Sequence, residues 1–158
     1  MAAEGKNLGD EIRIRRFRPE DAEAVAKIME ESPEAAKWSK ESYEASGGWG
    51  GVLALVSETR GELGGMLIGR QVADEGEILN LAVRQANRRK GEGGALLETA
   101  LGDLKAGGVT HVYLEVRESN GAAIGFYLGH GFSKTGKRKS YYHDPEEAAV
   151  LLEKKLTA

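Results

Sequence analysis

The stretch Arg88-Arg89-Lys90-Gly91-Glu92-Gly93-Gly94-Ala95 constrains this chain more than any other. Before it, Glu77 to Val83 reads as a strand, with Leu79, Leu81 and Val83 alternating onto one face. After it, Leu97, Leu101 and Leu104 recur at helical spacing. A glycine-rich turn that opens a helix leaves backbone N–H groups unpaired, and with the helix dipole they form an anion site. Gly91 and Gly93 let a diphosphate approach the backbone with no Cβ in the way. Arg88, Arg89 and Lys90 add positive charge beside it. A strand-loop-helix unit built to hold a pyrophosphate is the expectation. The spacing is not that of a dinucleotide fingerprint, which wants three glycines early in a βαβ unit and an acid about 20 residues on. Nor does the chain contain the Gly-x-x-x-x-Gly-Lys-Ser/Thr run of a phosphate-binding loop of the Walker type.

Composition narrows the function classes. A length of 158 residues suits one domain with a sizeable core. We expect residues 1–10 to be a polar tail and 11–158 to be that domain. Lysines and arginines number 22 against 25 acids, net −3. Without a basic face, direct nucleic-acid binding is not expected. The absence of cysteine excludes disulfide and thiolate chemistry. The scattered His111, His130 and His143 make no case for a metal. No membrane span and no signal peptide are visible, so a cytoplasmic location is expected.

Elements follow from periodicity. Ile12 to Phe17 reads as a strand. Pro19-Glu20-Asp21 opens a helix whose apolar stripe is Val25, Ile28 and Met29. A second helix is expected from Pro33 to about Ala45. Val52–Ser57 and Leu63–Val72 form a hairpin turned at Thr59-Arg60-Gly61. Thr110–Arg117 is a strand with Val112, Leu114 and Val116 facing one way and His111, Tyr113, Glu115 and Arg117 the other. Gly121–Leu128 is a short helix, with Ile124, Tyr127 and Leu128 on one side. Phe132–Lys137 and Ala148–Leu156 are further strands, although Glu146–Lys155 also fits a helix. The order is β-α-α-β-β-β-α-β-α-β-β, an α/β (α+β) layered arrangement.

Several side chains admit both a plain and a chemical role. Glu115 is a strand carboxylate that either sits in an ion pair or takes a proton. Tyr127 is a core aromatic or a proton donor, since a phenol of reference pKa ~10 is protonated at neutral pH. Asn120 is a natural N-cap for the Gly121 helix.

The order of residues bears on these roles through a resemblance. Arg-x-Gly-x-Gly/Ala after a strand ending in Ala-Val resembles the coenzyme A pyrophosphate loop of the GNAT acetyltransferase superfamily. Leu114-Glu115-Val116-Arg117, Ser119-Asn120, Phe126-Tyr127, Gly131-Phe132, Gly136, Arg138 and Tyr141-Tyr142 resemble its ribosomal-protein-alanine N-acetyltransferase (RimI-type) branch. The resemblance spans Ile12 to Leu156 as architecture and is specific from Ile78 to Tyr142. Lys37-Trp38-Ser39 is similar to a Pro-Trp-Ser segment of that branch. Gln85 replaces a usual proline, Phe126 a usual leucine, and Glu92 a usual apolar residue.

The resemblance implies a GNAT fold, a mixed central sheet flanked by helices, with acetyl-CoA as co-substrate and no metal. It implies Glu115 as general base and Tyr127 as general acid. Leu81, Ala82 and Val83 would pair through their backbone with the pantetheine arm. Arg88, Arg89, Lys90, Gly91, Glu92, Gly93, Gly94 and Asn120 would bind the rest of acetyl-CoA. Trp38, Tyr141 and Tyr142 would line the peptide pocket. A carboxylate at position 92 would repel a pyrophosphate unless it pointed to solvent.

The implied partner is a protein N-terminus, typically alanine on a small-subunit ribosomal protein. Physical chemistry agrees: producing a neutral amine at pH 7 costs about 1.4 kcal/mol for an α-amine against about 4.6 for lysine. Acids at Glu41, Glu44 and Glu118 would attract a basic N-terminal segment. A GNAT enzyme acting on lysine or a small amine, and a non-catalytic acetyl-CoA sensor, are the alternatives.

Overall fold

The computed structural model describes residues 11–32, 51–88, 90–142 and 146–156, with the backbone alone for Ser140 and Tyr142. The elements are β1 (Arg13–Arg16), a 3₁₀ turn (Pro19–Asp21), α1 (Ala22–Glu30), β2 (Val52–Thr59), β3 (Glu62–Val72) and β4 (Glu75–Val83). A second 3₁₀ turn (Gln85–Asn87) leads to α2 (Glu92–Ala106), β5 (His111–Arg117), α3 (Gly121–Gly129), β6 (Ser133–Tyr142) and β7 (Glu147–Lys155). The ambiguous last segment is therefore a strand. The expected helix over Pro33–Ala45 lies outside the described residues.

The strands form one seven-stranded sheet in the order β1-β2-β3-β4-β5-β7-β6. All neighbours are antiparallel except β4 and β5, which are parallel. The β2–β3 hairpin turns through Arg60 and Gly61, both at positive φ, as a two-residue turn of the twist-compatible kind requires. Two apolar layers cover the sheet. Val25, Ile28 and Met29 of α1 pack on Ala54, Val56, Met66, Ile68 and Ala82. Leu96, Leu97, Ala100, Leu101 and Leu104 of α2 pack on the other face with Leu55, Leu67, Ile78, Val112, Leu114 and Val116.

Asp21 ties β1 to α1. Its carboxylate accepts two bonds from Arg15, at 2.9 and 3.0 Å, and one from the Arg18 backbone N–H at 2.8 Å. Burial pushes this carboxyl up, but those hydrogen bonds outweigh burial and hold it below its ordinary value.

Two expectations from periodicity need correction. Leu79, Leu81 and Val83 do not share a face. The β3–β4 register pairs Ile68 with Asn80 and Gly69 with Ile78, so Leu79 is an extra residue. Leu79 packs with the α1 layer, whereas Leu81 and Val83 pack with the α2 layer. A bulge inserts one residue and reverses the alternation behind it. In α3, Leu128 is 42% exposed and does not join the buried stripe. Ala123, Ile124 and Phe126 pack on the core around Tyr127 instead.

Candidate active site

The site begins where the sheet comes apart. The parallel pairing of β4 with β5 covers Glu75–His111, Gly76–Val112 and Glu77–Tyr113 and then stops. Beyond it, β4 runs on to Val83 paired with β3 alone, and β5 runs to Arg117 paired with β7 alone. The facing edges of residues 78–83 and 114–117 thus flank a gap with main-chain groups free to meet an extended ligand. Leu81, Ala82 and Val83 line the β4 side of it. The Val83 carbonyl also accepts a bond from Arg88 Nε at 3.0 Å.

At the C-terminal end of β4 stands the first turn of α2. Gly91 precedes it in the left-handed region, φ 87°, where a Cβ would be strained. No side chain caps this helix. Its first internal bond runs from the Ala95 N–H to the Gly91 carbonyl at 3.0 Å, so the donors before Ala95 lie outside the helical ladder. A Cβ at Gly94 would fit tightly, 3.3 Å from the His130 ring just past α3, whereas one at Gly93 would meet Phe126 of α3 at an ordinary 3.6 Å. Uncapped N–H groups, a positive helix end and glycines fit a pyrophosphate. Lys90 is exposed beside this turn, and Arg89 lies outside the described residues.

Two members of the loop behave differently from the sequence expectation. Arg88 does not stand as a free cation. Its Nη2 donates to the Glu31 carbonyl at 2.9 Å and to Ser32 Oγ at 3.2 Å, so it clamps the end of α1 to the end of β4. Glu92 does not point to solvent; it is 3% exposed. It turns inward under the β2–β3 hairpin, where Oε1 accepts from Thr59 Oγ1 at 3.3 Å and Asn87 Nδ2 at 3.4 Å. Its Oε2 has no hydrogen-bond partner. Space for it exists because residue 64 is glycine: a Cβ there would collide with Glu92 Oε2 and lie 2.7 Å from Oε1.

Across the gap, β5 alternates as expected. Val112, Leu114 and Val116 are buried, and His111, Tyr113, Glu115 and Arg117 are half-buried on the opposite face. Tyr127 belongs to the apolar layer that holds Leu114 and Val116 and meets Phe132 ring to ring, so it lies on the helix-covered face while Glu115 faces the other way. Burial pushes the Tyr127 phenol well above its ordinary value, which keeps it protonated at neutral pH. Asn120 caps α3, its Oδ1 accepting from the Ala123 N–H at 3.1 Å. The loop before it is held by Glu147, which pairs with Arg117 at 3.3 Å and accepts from the Ser119 N–H.

Glu115 has company from β6. Arg138 Nη1 donates to Glu115 Oε1 at 2.8 Å. The Tyr141 hydroxyl also hydrogen-bonds Glu115, which, with the carboxylate's charge, raises the Tyr141 phenol above its ordinary value. The Arg138 guanidinium lies 4.4 Å over the Tyr141 ring. These contacts depend on register. Arg138 and Arg117 both pair with Ala149, while Gly136 and Glu115 both pair with Leu151. Arg138 therefore reaches Glu115 diagonally across β7. Between Arg138 and Tyr142, β6 spends more residues than β7 does between Ala149 and Glu147. Simple alternation would separate Tyr141 from Arg138; this irregularity brings them together. Sequence reasoning met Arg138 as part of a motif but gave it no role, because the signal is long-range pairing.

Trp38 lies outside the described residues, as do Glu41 and Glu44. The backbone of Tyr142 continues β6 opposite Glu147. Glu118 is ion-paired with Lys137, which offsets the charge it was expected to present. Among the described residues, no group of three or more His, Cys, Asp or Glu is placed to hold a metal, and no helix is long and apolar enough to cross a membrane.

This architecture has known counterparts. The chain is 33% identical over 126 residues to the [ribosomal protein bS18]-alanine N-acetyltransferase of Escherichia coli K12, covering 78% of this chain and 84% of that one. It is 31% identical to an N-alpha-acetyltransferase of Sulfurisphaera tokodaii, over 94% of this chain and 96% of that one. The crystal structure of the Escherichia coli ribosomal-protein-S18-alanine N-acetyltransferase superposes with a TM-score of 0.84 at 29% identity, covering 94% of this chain and 96% of that one. Residues 17–132 match the Acetyltransferase (GNAT) family. The chain belongs to the GNAT acetyltransferase family, and its mixed seven-stranded sheet is the GNAT fold.

Proposed function

We propose that this acetyltransferase moves the acetyl group of acetyl-CoA to the N-terminal α-amine of a protein, specifically an N-terminal alanine of a small-subunit ribosomal protein. The observation that carries it is the splayed β4–β5 gap, with an uncapped, glycine-opened helix at one end and Glu115 on one of its strands. Leu81, Ala82 and Val83 hold the pantetheine arm by their main chain. Lys90, Gly91, Gly93, Gly94 and Arg89 hold the pyrophosphate, and Asn120 adds a contact beyond its cap. Arg88 and Glu92 act from behind the loop, as a clamp and as a buried strut. Acetyl-CoA supplies the acetyl group as an activated thioester.

Glu115 takes the proton that the attacking nitrogen must lose, directly or through water. Tyr127, protonated and on the other face of β5, gives a proton to the departing thiolate. Trp38, Tyr141 and Tyr142 line the entrance for the peptide. An α-amine suits a single carboxylate base better than a lysine, because its neutral form is about 3 kcal/mol more accessible at pH 7. The relatives at 33% and 31% identity, a [ribosomal protein bS18]-alanine N-acetyltransferase and an N-alpha-acetyltransferase, support the same substrate class.

The test is mass spectrometry of peptides incubated with the protein and acetyl-CoA. One peptide begins Ala-Arg with a free amine; the other has a blocked N-terminus and an internal lysine. Acetylation of the first alone, lost in Glu115→Gln, is expected. Acetylation of the blocked peptide moves the assignment to lysine. Binding of acetyl-CoA without product on either peptide overturns the N-terminal assignment.

A further inference from the structure

We propose that Arg138 is a positioning residue for acetyl transfer: its guanidinium fixes the Glu115 carboxylate and, by its charge, keeps an amine bound there in the neutral form. This rests on Glu115 acting as the base. A lone carboxylate is a poor host for a nucleophilic amine, because an opposite charge within a few ångströms favours the ammonium, which has no lone pair. A base that traps its substrate as a salt bridge slows the reaction it is meant to assist. Arg138 removes this conflict. It sits 2.8 Å from Glu115 Oε1 and is charged at every pH the protein meets. The pair is neutral overall, so the amine meets an acceptor without a net negative field.

The arrangement is built. Arg138, its side chain 54% exposed, touches Glu115 on one side and the Tyr141 ring on another, and Tyr141 hydrogen-bonds the same carboxylate. Ala149, opposite Arg138, is a small residue on the diagonal to Glu115. The other charges around the cluster come from each neighbouring strand. On β4, Glu77 pairs with Arg70. On β5, Tyr113 is flanked by the acids Glu75, Asp74 and Glu153, and Arg117 is matched by Glu147 of β7. On β6, Lys137 is matched by Glu118. Arg138 is the cation whose partner is the proposed base itself.

The experiment is the pH dependence of kcat, at saturating acetyl-CoA and an Ala-Arg peptide, for the wild type, Arg138→Gln, Arg138→Lys and Glu115→Gln. Removing a cation about 5 Å from the amine moves the acidic limb upward by roughly half a unit to one unit. Arg138→Gln therefore loses about three- to tenfold at pH 7 and regains most of it by pH 9.5. Peptide binding at pH 6 tightens in the same variant, because the ammonium no longer faces a guanidinium. Arg138→Lys keeps the charge and keeps the limb. A loss uniform across pH, which holding the carboxylate in place would give by itself, overturns the charge effect; no loss overturns the whole proposal. In both cases Glu115 stands as base if Glu115→Gln is still impaired. Full activity of Glu115→Gln at every pH overturns both.

Discussion

The two sides of the β4–β5 gap are made of different material. The proposed cofactor side is made of backbone: a left-handed glycine, an uncapped helix turn and a strand edge without a strand partner. The proposed amine side is made of side chains, Glu115, Arg138 and Tyr141, drawn from strands whose backbones are joined through β7. Backbone donors suit one chemical group that never changes, such as a phosphate. Side chains differ in charge and reach, so they set which amine enters and in which protonation state. On this division, substitutions on the amine side alter rate and pH dependence, and substitutions on the cofactor side alter affinity and stability.

The sharpest way to break the comparison is Glu115→Gln. Loss of a positioned base lowers kcat by about 10²- to 10⁴-fold. Acetyl-CoA affinity, measured by calorimetry, is expected to stay within about twofold of wild type. A parallel loss of affinity shows that the two sides are not separable. Gly64→Ala strikes the cofactor side. The new Cβ collides with the Glu92 carboxylate and lies 2.8 Å from Asn87 Nδ2, so the strut is driven out of its site. Urea unfolding is expected to register a loss of about 1–3 kcal/mol, accompanied by weaker acetyl-CoA binding. The same substitution in a Glu92→Ala background, where the Asn87 amide is the neighbour left to give way, costs far less if the two residues are coupled as the collision indicates.

What could be read from sequence divides along the same line. The loop and its helix were legible because glycine spacing and helical periodicity are local. So was the face of β5 that bears Glu115, since a regular strand alternates. The reversal at Leu79 was not, because a bulge leaves no mark in hydrophobic pattern when leucines occupy both faces. Neither was the contact of Arg138 and Tyr141 with Glu115, which depends on the β6–β7 register. The sequence offered Glu92 either as a repulsive neighbour of the pyrophosphate or as a residue turned to solvent; the third course, inward, needs the room that Gly64 leaves, and Gly64 is far away in sequence. Leu128 misled in the opposite direction, an apolar residue on the exposed side of a short helix.

Glu92 offers a gain rather than a loss. Its Oε2 is buried with no partner, and an unsatisfied buried acceptor costs about 1–3 kcal/mol. An acid in a first helical turn returns about 0.3–1 kcal/mol through the dipole. Glu92→Ile exchanges both for apolar contact and is expected to raise stability by about 1 kcal/mol in urea unfolding. If Glu92 serves only as packing, acetyl-CoA binds as tightly or more tightly in the variant. Weaker binding identifies the bonds to Thr59 and Asn87 as what holds the loop in its binding shape.

The smallest effect tests the point where the two sides meet. Asn120 ends the β5 side of the gap and caps α3, the helix that carries Tyr127. Losing the cap in Asn120→Ala costs about 1 kcal/mol. That loss alone does not say whether the side chain also touches acetyl-CoA. Asn120→Ser separates the two, because serine caps nearly as well but is shorter by the amide. With capping as the whole role, serine restores both stability and acetyl-CoA affinity. With a second contact, serine restores stability while affinity stays as low as in the alanine variant. The latter outcome makes Asn120 a side-chain ligand on an otherwise backbone-built cofactor site, and narrows the division between the two sides to the loop and the β4 edge.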